Sequence, residues 1–168
     1  MCGQVTTKGI TQRKGKIMTA TEVLKILSGR ELRVGSEVWT GHPRINGKFV
    51  LYHCRFPETS YNSVHYEVFE AHRGRLGVYD PGLIEVAIHV EKATDEKLME
   101  PLISRLEQEA RILGFSLNPN GRAGVQITIN CTNMSENDAV SAVEAALNTL
   151  YEKFERIINE VAHKYGCV

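Results

Sequence analysis

Glu85, His89 and Glu91 stand at alternating positions of one run, Leu83–Glu91, so on an extended strand they share a side. Carboxylates beside an imidazole can hold a metal ion or act as a general base. The same alternation describes the solvent face of a half-exposed antiparallel sheet, and that plainer reading is preferred. The other histidines are scattered: His53 and His65 fall in strand-like runs, and His42 and His72 lie near turns. There is no His-x-His pair, and a zinc site is not expected.

Basic residues gather between Arg30 and Arg75, with Trp39, Phe49, Tyr52, Tyr66 and Phe69 among them. Charge for phosphate and rings for stacking are what a nucleic-acid or nucleotide platform needs, and Arg44, Lys48, Arg55, Arg73 and Arg75 are its candidate contacts. Glu31, Glu37, Glu58, Glu67 and Glu70 share the stretch and leave it a net charge of only +2. Most of the rings belong to a core, so the platform is the lesser reading. Asn118–Gly124, "NPNGRAG", precedes a strand, whereas phosphate-cradling loops open a helix; it reads as a turn. Nucleophile-elbow, kinase and cysteine-protease signatures do not occur.

These residues need elements to hold them. Val140, Val143, Leu147, Leu150, Phe154, Ile157 and Val161 recur every three or four residues and predict one long amphipathic helix over 135–163. Ser135 is its cap, with Asp138 as a short analogue of the capping-box acid. Ala139, Ala142 and Ala146 widen the seam into a face suited to a sheet, and a homodimer through the same helix is the alternative cover. A short helix capped by Thr19 or Thr21 runs to Leu27. Asn46-Gly47 marks a hairpin between strands near Glu37–Arg44 and Lys48–Phe56, with His42-Pro43 placing the first at an edge. Val64–His72 is a further strand, and Asp80-Pro81-Gly82 reads as a turn.

Leu83–Glu91 has the clearest strand alternation, with Ile84, Val86, Ile88 and Val90 on its apolar side. A helix from Thr94 to Leu113 then leads to a strand at Gly124–Cys131. Two strands joined by a helix are expected to be parallel, with a right-handed crossover. The fold class is therefore α+β: a short N-terminal helix, an antiparallel meander, then strand-helix-strand-helix, the long C-terminal helix packed on the sheet.

This order, with Asp80 ahead of a strand that bears Glu85, resembles the restriction-endonuclease-like fold of the PD-(D/E)XK nucleases. The resemblance implies a magnesium or manganese ion held by Asp80 and Glu85, which would position water. The family's lysine position is Ala87 here, and Lys92 lies beyond the strand, so His89 would have to stand in. Residues 83–163, with "IEVAIHVEK", "GVQITIN" and "VEAALNTLYEKFERII", are similar to an uncharacterised domain at the C-terminal end of predicted bacterial nuclease-like proteins. That similarity implies no activity.

Composition sets the remaining bounds. The chain has 168 residues, 42% hydrophobic and 24% charged, with no net charge. Residues 1–17 carry Lys8, Arg13, Lys14 and Lys16 and no acid, so the remainder carries a net charge of −4. The tail reads as disordered or as an upstream extension, and residues 18–168 as one domain. Four scattered cysteines without a Cys-x-x-Cys pair suggest reduced thiols in a cytoplasmic protein, and no transmembrane run or signal peptide is read. The expectation is a small interaction module, a nuclease-like scaffold lacking the full catalytic set. It would need no cofactor and would bind nucleic acid, a nucleotide or a protein partner. A metal-dependent nuclease using Asp80, Glu85 and His89 is one alternative. An inhibitor or adaptor acting through the C-terminal helix is the other.

Overall fold

The structure, a computed structural model, describes residues 18–55, 64–73, 78–91, 96–117 and 124–165. The basic tail, Arg75 and most of the "NPNGRAG" segment lie outside them. The elements in order are α1 (Ala20–Leu27), β1 (Glu31–Val34), β2 (Glu37–Thr40), β3 (His42–Arg44), β4 (Phe49–Arg55), β5 (Val64–Arg73), β6 (Val78–Val90), α2 (Glu96–Leu113), β7 (Ser116–Leu117), β8 (Gly124–Asn130) and α3 (Glu136–Lys164). β1 and β2 form a separate ribbon, and the others make one sheet in the order β3-β4-β5-β6-β8-β7. The α+β class expected from the pattern is the class observed.

Both helix starts follow from their caps. Thr19 and Glu22 form a reciprocal capping box on α1, as Ser135 and Asp138 do on α3. The seam of α3, from Val140 to Val161, is buried in the chain's own core with α1, α2 and the apolar face of the sheet. Such a helix is held by its packed face more than by propensity. The polar side of α3 also takes up the ribbon: Arg33 N donates to Glu144 Oε2 and Gly35 N to Asn148 Oδ1, both at 2.8 Å.

Two expectations are corrected. β6 and β8 are antiparallel, with Leu83 opposite Asn130 and His89 opposite Gly124. β7 is also antiparallel to β8 and so runs parallel to β6: the crossover through α2 ends at β7, and β8 turns back to lie between the two. Asp80-Pro81-Gly82 does not end a strand, because β6 runs through it. Its turn chemistry survives as a bulge: Gly82 N donates to Asp80 Oδ1 at 2.9 Å, where the register with β5 slips.

The Asn-Gly hairpin is observed, with Ile45, Asn46 and Gly47 all at positive φ. β3 lies at the sheet edge, the place in a sheet where a proline such as Pro43 is tolerated. The expected strand from Glu37 to Arg44 breaks at Gly41. A Cβ there would stand 2.3 Å from Leu27 O and 2.8 Å from Tyr52 Oη, so the chain can pass only as glycine.

Candidate metal centre

Alternation sorts β5, β6 and β8 into two faces. Val64, Tyr66 and Val68, with Ile84, Val86 and Ile88, join the helix-backed core. The opposite face therefore carries His65, Glu67 and Phe69 on β5, Glu85, Ala87 and His89 on β6, and Gln126 on β8. The register sets His65 opposite His89, Glu67 opposite Ala87, and Ala87 in turn opposite Gln126. Ala87 is thus a small floor. Glu67 and Gln126 flank it across the strands, and His89 and Glu85 flank it along its own strand.

His65 Nε2 lies 3.4 Å from Glu67 Oε2, and His89 Nδ1 lies 3.0 Å from Glu67 Oε1. One potential ligand atom from each residue lies within 4.8 Å of the others. His65 is 1% exposed and Glu67 6%, while the His89 side chain is 23% exposed. Burial alone would raise the Glu67 carboxyl. The hydrogen bonds from His65 and His89, together with their charge, outweigh it and hold the group at about 2. Glu85 goes the other way: its own burial and then the Glu67 charge push its carboxyl up. Gln126 Nε2 donates to Glu85 Oε1 at 3.3 Å.

Two imidazoles and one carboxylate form a ligand set used by zinc and other first-row divalent ions. Tetrahedral ligands bound at about 2.0–2.1 Å lie roughly 3.3–3.4 Å from each other. The two nitrogen–oxygen distances here are of that size but run to different oxygens of Glu67, and the three ligand atoms lie within 4.8 Å of one another, so the side chains would draw together around an ion. Three protein ligands would leave a fourth direction open, as catalytic zinc sites do.

The residues named from sequence are distributed differently. His89 belongs to the centre and Glu85 borders it, while Asp80 sits in the bulge. Five positions of strand separate Asp80 from Glu85, about 16 Å if extended. Arg44 and Lys48 are exposed on the hairpin between β3 and β4. Arg55 ends β4 opposite Val64, and Arg73 pairs with Val78 at the far end of β5. Arg55 therefore lies at the opposite end of the sheet from the hairpin and Arg73. His65 and Glu67, the residues that complete the centre, were missed. They sit one alternation apart on their strand, and their partner His89 comes from a neighbouring strand, so local spacing does not reveal them.

A second polar cluster lies on the helix face. His53 would stand beside His65 if β4 alternated regularly. A bulge with His53 at φ 46° turns it inward, where its ring stacks on Trp39 at 4.4 Å. There it lies 3.6 Å from Glu37 Oε2 and 3.7 Å from Glu155 Oε1. The hydroxyl of Tyr66 donates to Glu155 Oε2 at 2.8 Å, and Trp39 Nε1 to Glu37 Oε2 at 2.8 Å. This cluster joins the ribbon, the sheet and α3.

Comparison with family models, with curated proteins and with solved structures gave no match in any of the three.

Proposed function

We propose that this domain binds one first-row divalent metal ion at His65, Glu67 and His89, and that the centre is of the open, hydrolytic kind. The observation that carries the reading is the convergence of two imidazole nitrogens on the two oxygens of one buried carboxylate. Chemistry supplied by such an ion is polarisation of a coordinated water or carbonyl. The chain's own contribution is to fix the ligands on two hydrogen-bonded strands and to bury them. A cytoplasmic setting fits the free thiols of Cys54 and Cys131.

The nuclease reading with magnesium or manganese on Asp80 and Glu85 is the second proposal, favoured by Glu85 bordering the centre. It asks for hard oxygen ligands, whereas two imidazoles favour zinc, cobalt or nickel. The spread of Arg44, Lys48, Arg55 and Arg73 over both ends of the sheet favours a small ligand over a nucleic-acid track. A homodimer, or an adaptor role through residues 135–163, would have to use the polar side of α3, since the seam is buried.

Calorimetric titration of the full chain with zinc, cobalt, manganese and magnesium tests the assignment. One site per chain, preferring zinc or cobalt and lost in His65→Ala and His89→Ala, supports it. A magnesium-preferring site lost in Glu85→Ala but kept in His65→Ala would replace it with the nuclease reading.

A further inference from the structure

Gln126 is nine-tenths buried, with 9% exposure, and faces Glu67 across Ala87. A carboxylate accepts hydrogen bonds and does not donate them, so the amide nitrogen of Gln126 is the end turned to Glu85. The carbonyl end, Oε1, is buried and has no hydrogen-bond partner among the described residues. An unsatisfied buried acceptor costs about 1–3 kcal/mol, which a bound donor would recover. β5 and β8 are two strand spacings apart, about 9.5 Å, with Ala87 of β6 between Glu67 and Gln126. Ala87 is covered in the metal-free chain, so a group reaching from the ion toward Gln126 has to part the side chains over it.

The charge pattern narrows the ligand. Glu67 and Glu85 are carboxyls, and Gln126 presents an acceptor. A phosphodiester offers only acceptor oxygens, so it has no donor for Gln126 Oε1. A group with an oxygen next to an N–H, such as an amide or a hydroxamate anion, would coordinate the ion and donate to Oε1 together.

We propose that the centre takes an amide- or hydroxamate-type ligand, its oxygen on the ion and its N–H donated to Gln126 Oε1. This rests on the metal reading above, and the test separates the two. The full chain is loaded with cobalt(II) and titrated with acetohydroxamate, N-methylacetohydroxamate and inorganic phosphate, followed by cobalt visible absorption. The N-methyl compound keeps both coordinating oxygens and lacks the N–H. Acetohydroxamate should bind about tenfold more tightly than its N-methyl analogue, as one net hydrogen bond allows. In Gln126→Met that difference should vanish, while the cobalt affinity stays. Equal binding of the two hydroxamates by the unaltered protein, or tighter binding of phosphate than of acetohydroxamate, overturns the ligand assignment. Because that comparison needs no variant, it holds even if Gln126→Met fails to fold. Failure of cobalt to bind at all overturns the metal reading itself.

Discussion

Replacing Glu67 by glutamine should uncouple zinc from stability, and the size of the effect can be worked out. Zinc that binds only the folded chain at a hundred times its dissociation constant adds about 2.7 kcal/mol. For a domain of this length, 1 kcal/mol moves the melting temperature by about 2–4 °C, so zinc should raise it by about 5–11 °C. Glu67→Gln removes the carboxylate to which both His65 and His89 point. A hundredfold loss of affinity, taken from the upper end of losses seen for supporting residues, leaves about 0.4 kcal/mol, a rise of only ~1–2 °C at the same zinc concentration. The metal-free variant should itself melt lower, because hydrogen bonds to a charged group contribute about 1.5–3 kcal/mol. The assay is differential scanning calorimetry of the wild type, Glu67→Gln and His89→Ala, with zinc and with chelator. If zinc raises all three melting temperatures equally, the ion binds elsewhere and the reasoning fails.

Other outcomes follow from the rest of the structure. A double-mutant cycle of Tyr66→Phe and Glu155→Gln in urea should give a coupling of about 1–3 kcal/mol, and additive single effects would show that the buried 2.8 Å contact contributes nothing specific. Burial pushes the Tyr52 hydroxyl well above 10, against a smaller opposing effect of the Arg30 charge. The unfolded chain therefore loses that proton first as pH rises past 10, and stability should fall by up to about 1.4 kcal/mol per pH unit. Tyr52→Phe should flatten the alkaline arm of a stability–pH curve, and an unchanged arm would contradict it. Gly41→Ala should cost about 1–3 kcal/mol or more, since its Cβ meets the backbone oxygen of Leu27; an unaltered denaturation midpoint would refute the close approach.

Much of the frame was legible because its signals are local. The α3 seam repeats at helical spacing, the Ser135–Asp138 cap lies three residues apart, Thr19 stands just ahead of α1, and Ile84 to Val90 alternate on one strand. The antiparallel β6–β8 pair was not legible, because it depends on a two-residue strand too short to carry a period. The polar face of β6 was read as solvent-facing, yet His65 and Glu67 opposite it are buried. Their meeting with His89 depends on a register between residues 22 and 24 positions apart, which no single run of sequence encodes. The inward turn of His53 was hidden for a related reason: a bulge with a left-handed residue reverses the face that alternation assigns.

The most direct test is a crystal of the zinc-loaded protein, with anomalous scattering recorded at the zinc edge. A single peak about 2.0–2.2 Å from His65 Nε2, His89 Nδ1 and a Glu67 oxygen is the expected result. A peak elsewhere, with the hydrogen bonds among His65, Glu67 and His89 intact, would contradict the metal centre.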